Sequence, residues 1–206
     1  MTQSARSGTA PIVLASGSPR RREILTQAGL DFVVIPPQVE EVPLPGEAPL
    51  ALATRLAAEK ALAVARQVGP GAGLVLGADT IVVLGDRVIG KPRDAEDAVD
   101  MLRALTGCVH RVITGIAVAD PARLVAHTGA VESSVHMRAA DDDEIRDYIA
   151  LGESLDKAGA YALQGEGGRR FVTAVEGSQT NVIGLPIEET RALLDAARAA
   201  VEESGA

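Results

Sequence analysis

The chain has 206 residues, 47% of them apolar and only 2% aromatic, with a net charge of −8. That length fits one domain, two lobes included, and a core of Val, Leu, Ile and Ala favours α/β layers over an aromatic-rich sandwich. The acidic balance argues against nucleic acid or an anionic membrane held by bulk charge, so any anionic ligand needs a local basic cluster. Cys108 is the only cysteine, which rules out an internal disulfide and suits a reducing compartment.

Met1 to Ala10 is small and polar and is expected to be a disordered tail. Ile12 to Ala15 reads as a short buried strand, too short for a signal peptide or a membrane span, which points to the cytoplasm. Ser18 then suits an N-cap and Pro19 the first helical position of a helix to about Ala28, stopped by Gly29. Arg20, Arg21 and Arg22 crowd that helix start, where the helix dipole disfavours cations. Three arginines there make sense around a bound anion: free N–H groups, a serine hydroxyl and guanidinium forks form a phosphate site. A solvated basic turn with Glu23 as partner is the plainer reading.

Phe32 to Pro36 reads as a second strand, and Glu40 and Glu41 follow in a Pro-rich connection. Adjacent acids in a loop are usually solvated; these gain interest only if the fold brings them to Asp79. Pro49 to about Val68 is a long helix in which Lys60 continues the apolar stripe of Leu52 and Leu56. Lys60 either snorkels at the stripe edge or points into a cleft.

Leu74 to Leu84 is a run fit for a buried strand, yet Asp79 and Thr80 stand in its middle. An unpaired carboxylate there costs several kcal/mol, on the order of the penalties for buried ions. Gly85-Asp86 reads as a two-residue hairpin turn, and the return strand Arg87 to Gly90 puts Lys91 opposite Thr80 and beside Asp79. Asp94 caps a helix through about Leu105. Cys108 to Ala119 and Leu124 to Met137 alternate as paired strands, with Cys108 in the core. The three histidines lack metal-ligand spacing. Asp141 to Ala150 reads as a short helix, Glu166-Gly167-Gly168 as a flexible loop, Phe171 to Val175 and Thr180 to Ile183 as short strands, and Leu185-Pro186 as the opening of a last helix to about Val201.

The segments Leu14 to Arg21, Gly77-Ala78-Asp79-Thr80, Gly90-Lys91-Pro92-Arg93 and Asp156 to Tyr161 resemble, in order and spacing, the Maf family of nucleoside triphosphate pyrophosphatases. The resemblance runs from Ile12 to the final helix. It implies a single two-lobed α/β domain, a mixed sheet flanked by helices with a deep cleft like that of inosine triphosphate pyrophosphatases. It also implies hydrolysis of a nucleoside triphosphate to the monophosphate and pyrophosphate with a divalent cation, Mg2+ or Mn2+. By position Asp79 matches the family's proton acceptor. Ser16, Arg20, Arg21, Lys60 and Lys91 match triphosphate-binding groups, and Glu41 an acid near the metal. Arg20, Thr80 and Gln164 match positions tied to substrate choice, and the Gln164 block looks like the dTTP/UTP branch rather than the 7-methyl-GTP branch. Arg169 and Arg170 match no family motif.

The residues support the same chemistry without the family. Cations from separate segments would neutralise a triphosphate, and a cation on Asp79 and Glu41 would activate water whose proton Asp79 takes. A nucleotidyltransferase is a rival, needing a second substrate before pyrophosphate is released; a non-enzymatic regulator is another, needing a partner surface rather than a buried Asp79. The oligomeric state, a homodimer included, is open at this level.

Overall fold

A computed structural model describes residues 10–204; the expected tail, Ala10 apart, lies outside them. Its frame is one seven-stranded sheet in the order β2-β1-β3-β5-β6-β7, with β4 attached to β3. The strands are β1 (Ile12–Ala15), β2 (Phe32–Val34), β3 (Val75–Leu84), β4 (Arg87–Ile89), β5 (Val109–Asp120), β6 (Val125–Met137) and β7 (Val172–Glu176). The helices are α1 (Pro19–Gln27), α2 (Pro49–Val68), α3 (Ala95–Leu105), α4 (Asp142–Ala150), α5 (Glu166–Phe171), α6 (Gln179–Ile183) and α7 (Ile187–Glu203). No helix of the described residues is long and apolar enough to cross a membrane. The mixed sheet flanked by helices is the fold class expected.

The site follows from how β3 divides one of its edges. β1 runs parallel to its first residues, Val13 to Ala15 against Val75 to Gly77. β4 returns antiparallel along its last, Val82 to Leu84 against Ile89 to Arg87. Between them Ala78 to Ile81 has no strand on that edge among the described residues. Asp79 and Thr80 fall in this gap. β5 covers the whole opposite edge, pairing Asp79 with Gly115 and Thr80 with Thr114. The core divides in the same way. Ile89, Leu102, Ile145 and Phe171 cluster with Val82 at one end of β3, while Leu14, Leu25, Leu76 and Leu194 cluster at the other. Two further clusters lie on the α2 face, one around Val13, Ala61 and Val75 and one around Leu52, Leu56 and Ile81.

Side-chain alternation sends Asp79 to one face of β3 and Thr80 to the other. The Asp79 face is covered by α2. A Cβ on Gly77 would stand 2.3 Å from the Ala57 carbonyl oxygen, and one on Gly115 2.2 Å from that of Ala53. Glycine at both places lets the helix backbone lie directly on the sheet. This close approach brings Lys60, buried on the stripe of Leu52 and Leu56, down to Asp79.

Several elements differ from expectation. Thr180 to Ile183 is helical, not a strand: the Ser178 hydroxyl caps α6 by accepting from the Asn181 amide, and the apolar run is too short for periodicity to separate the two. Glu166 to Gly168 opens α5 rather than forming a loop. Cys108 lies just before β5 and is exposed, so it does not belong to the core. Ser18 stands at the N-cap of α1 with extended backbone but makes no side-chain cap bond. The expected ends of α2, α3, α4 and the β5–β6 pair hold to within a residue or two.

Candidate active site

A cleft of about 450 Å³ opens where β1 and β4 part. Its wall includes every expected site residue: Ser16, Arg20 and Arg21, Glu41, Lys60, Asp79 and Thr80, Lys91 and Gln164. Arg22 is exposed and outside this wall, so two of the three arginines at the helix start serve the cleft.

On the α2 face the charges form a chain. Lys60 Nζ donates to Asp79 Oδ1 at 2.5 Å and lies 2.5 Å from Glu41 Oε1. Lys60 therefore points into the cleft, and the acids of a remote loop and of β3 meet on one ammonium. Both Lys60 and Asp79 are nearly buried, whereas Glu41 is half-exposed. Burial works to raise the Glu41 pKa, but the hydrogen bond and charge of Lys60, with Lys91 and Arg21 behind, outweigh it and hold Glu41 below its ordinary value. Lys91 does not pair opposite Thr80. The Gly90 carbonyl accepts instead from the Gly159 amide at 3.0 Å, so the ladder stops at Ile89 and Lys91 projects freely, with Nζ 3.9 Å from Glu41 Oε2.

On the other face Arg21 ties three segments together. Its Nε donates to the Gly184 carbonyl at 2.8 Å, Nη1 to Ser16 Oγ at 3.1 Å and Nη2 to Thr80 Oγ1 at 3.1 Å. Burial lowers the Arg21 pKa, with Arg20 adding to that and Asp79 and Glu41 opposing it; an arginine stays charged regardless. Ser16 Oγ also accepts the Ser18 amide at 3.2 Å, which shapes the turn into α1. Arg20 is looser, 4.0 Å from Asp156. Gln164 is exposed at the mouth, where the cleft meets a shallow depression bearing Arg169 and Arg170.

Sequence reasoning missed the floor of the cleft. Tyr161 lines it, and its hydroxyl is held by His110 Nε2 at 2.8 Å. Burial, with the charge of His136 adding, lowers the His110 pKa from 6.5 to about 4. A folded-state pKa below the unfolded one means that the unfolded chain takes the proton first. The stability held above pH 6.5 is then lost as pH falls towards 4, by up to about 3 kcal/mol. His110→Gln should show a shallower acid loss than wild type in denaturant melts at pH 7.5 and 4.5; identical pH dependence would deny His110 this role. The one signal in the sequence was a histidine inside an alternating apolar strand.

The donor set fits one cation held jointly with a ligand. Two carboxylates already converge on a single positive centre, the Lys60 ammonium. Among the described residues no group of three or more His, Cys, Asp or Glu forms an all-protein cage. Magnesium-like ions suit such a site, taking one or two carboxylates and completing their shell with phosphate and water.

A family model for Maf-like proteins matches residues 11–197. A dTTP/UTP pyrophosphatase of Anaeromyxobacter dehalogenans (strain 2CP-C) is 52% identical over 185 residues, 89% of this chain and 92% of the relative. Its namesakes in Geobacter sp. (strain M21) and Myxococcus xanthus (strain DK1622) are each 50% identical, over 86% and 90% of this chain and 91% and 92% of theirs. A match over nearly the whole chain, on a sheet that opens its cleft between the motif-bearing turns, makes this protein a member of the Maf-like family.

Proposed function

We propose that this chain is a pyrophosphatase that hydrolyses dTTP and UTP to the monophosphate and pyrophosphate. The observation that carries the reading is the meeting of Asp79, Glu41, Lys60 and Lys91 with Arg20 and Arg21 in one cleft of an acidic protein. The relatives named dTTP/UTP pyrophosphatase support the substrate class.

Lys60, Lys91, Arg20 and Arg21 bind the triphosphate, whose oxygens offer Lys60 partners other than the two carboxylates. Ser16 and the first turn of α1 seat a phosphate against free N–H groups. Glu41 and Asp79 would hold a divalent cation, Mg2+ or Mn2+, which when bound would make the phosphate more electrophilic and water more acidic. Asp79 accepts the proton of the attacking water. Gln164 meets the base edge at the mouth, its amide donating to a carbonyl that thymine and uracil share.

Steady-state kcat/KM for dTTP, UTP, CTP, GTP and 7-methyl-GTP tests this. dTTP and UTP should lead, and Gln164→Ala should narrow the UTP/CTP ratio by roughly 2- to 10-fold, the worth of one solvent-accessible hydrogen bond of about 0.5–1.5 kcal/mol. A wild-type preference for 7-methyl-GTP would contradict the substrate assignment, and an unchanged ratio in the variant would remove Gln164 from base recognition.

A further inference from the structure

Beneath Thr80 lies a second polar chain that none of the proposed roles uses. Thr80 Oγ1 and Thr114 Oγ1 are 2.9 Å apart, and Thr114 Oγ1 donates to the Asn181 carbonyl at 3.0 Å. Asn181 is itself pinned, its Nδ2 donating to the Val112 carbonyl at 3.0 Å and to Ser133 Oγ at 2.9 Å. Thr114 and Asn181 are fully buried. α6 thus presents a fixed carbonyl to the back of β5.

Each hydroxyl has one hydrogen and two lone pairs. Thr114 gives its hydrogen to Asn181, so in the Thr80–Thr114 contact Thr80 is the donor. One Thr80 lone pair accepts Arg21 Nη2 at 3.1 Å. The other is left for the cleft. The opposite arrangement would send the Thr80 hydrogen to the Gly184 carbonyl at 3.4 Å, longer than a good O–H···O bond, and would fill both lone pairs. It would also take the Thr114 hydrogen away from the buried Asn181 carbonyl, so the first arrangement is favoured, and in it Thr80 has no hydrogen for a ligand.

We infer that Thr114 is a positioning residue for substrate choice: it locks Thr80 as an acceptor, so that the cleft demands a hydrogen-bond donor from the base. Thr80 shares its face of the sheet with Val82 and Val112, and Val182 of α6 joins them in the cleft wall. A flat base has an apolar seat there. Of the pyrimidines, thymine and uracil carry an N3–H donor, whereas N3 of cytosine is an acceptor. The base edge is then shared: Gln164 meets a carbonyl, and Thr80 takes N3–H. The inference rests on the dTTP/UTP reading.

The test compares UTP with CTP in wild type, Thr114→Val and Thr114→Ser, with thermal melts alongside. Thr114→Val frees the Thr80 hydrogen to turn towards the ligand. The UTP/CTP ratio of kcat/KM should then fall about tenfold or more, mainly through KM, with kcat for UTP within about threefold of wild type. Thr114→Ser keeps the hydroxyl and should keep the ratio. Should the valine variant not fold, wild type with N3-methyl-UTP decides: it lacks the donor and should be turned over at least about tenfold less well than UTP. An unchanged ratio in Thr114→Val, or N3-methyl-UTP turned over like UTP, would each overturn the inference while leaving the dTTP/UTP reading intact; no UTP/CTP discrimination in wild type would overturn the inference and the substrate assignment together. A wild-type protein that releases no pyrophosphate from UTP would overturn both.

Discussion

Asp79→Asn is expected to keep the fold and to lose about 10²–10⁴-fold in kcat, the usual loss for a positioned general base. The carboxamide is nearly isosteric and cannot take a proton from water. Its effect on stability is limited by geometry. Removing one partner of a buried ion pair typically costs about 3–5 kcal/mol, but Lys60 here keeps Glu41 at 2.5 Å. A folded variant with little turnover is therefore the expected result, checked by circular dichroism and a pyrophosphate-release assay on one preparation. Turnover near the wild-type rate would place the base elsewhere.

Arg21→Ala should have the next largest effect, and of a different kind from Arg20→Ala. Arg21 joins β1's turn, β3 and the end of α6 through Ser16, Thr80 and Gly184. Its removal should lower both the melting temperature and kcat/KM, the latter by at least about 10- to 100-fold, the worth of one charge-assisted bond of roughly 1.5–3 kcal/mol. Lysine cannot reproduce the fork, so Arg21→Lys should fail as well. Arg20 has only a 4.0 Å contact with Asp156. Arg20→Ala should leave the melting temperature alone, raise KM, and lose part of its effect at high salt, since the Arg20 side chain is partly exposed. Equal behaviour of the two variants would mean that the clamp is not structural.

Much of this was legible in the sequence because it is written in local patterns. The turn at Gly85-Asp86, the caps at Asp94 and Asp141, and the Pro49 start of α2 each rest on a few adjacent residues. Asp79 stood out because a carboxylate interrupts an apolar run. Other features depend on pairings that no local pattern encodes. That β1 and β4 share one edge of β3, leaving a gap at Asp79, is a property of the assembled sheet. The direction of Lys60 was undecided on its helix and is fixed only by the close approach at Gly77 and Gly115. α6 read as a strand because Val182 and Ile183 are β-formers, while the buried bonds of Asn181 that hold it as a helix lie far away in sequence. Thr114 carries no local signal, because its partner Asn181 lies 67 residues away in sequence.

Hydrolysis in ¹⁸O-labelled water tests the central claim most directly, because it reports which phosphorus the water attacks. With UTP as substrate and Asp79 as the base for attack at the α-phosphorus, the label should appear in UMP and be absent from pyrophosphate, and Asp79→Asn should slow formation of the labelled product by about 10²–10⁴-fold. Label in pyrophosphate, or release of orthophosphate in place of pyrophosphate, would contradict the account.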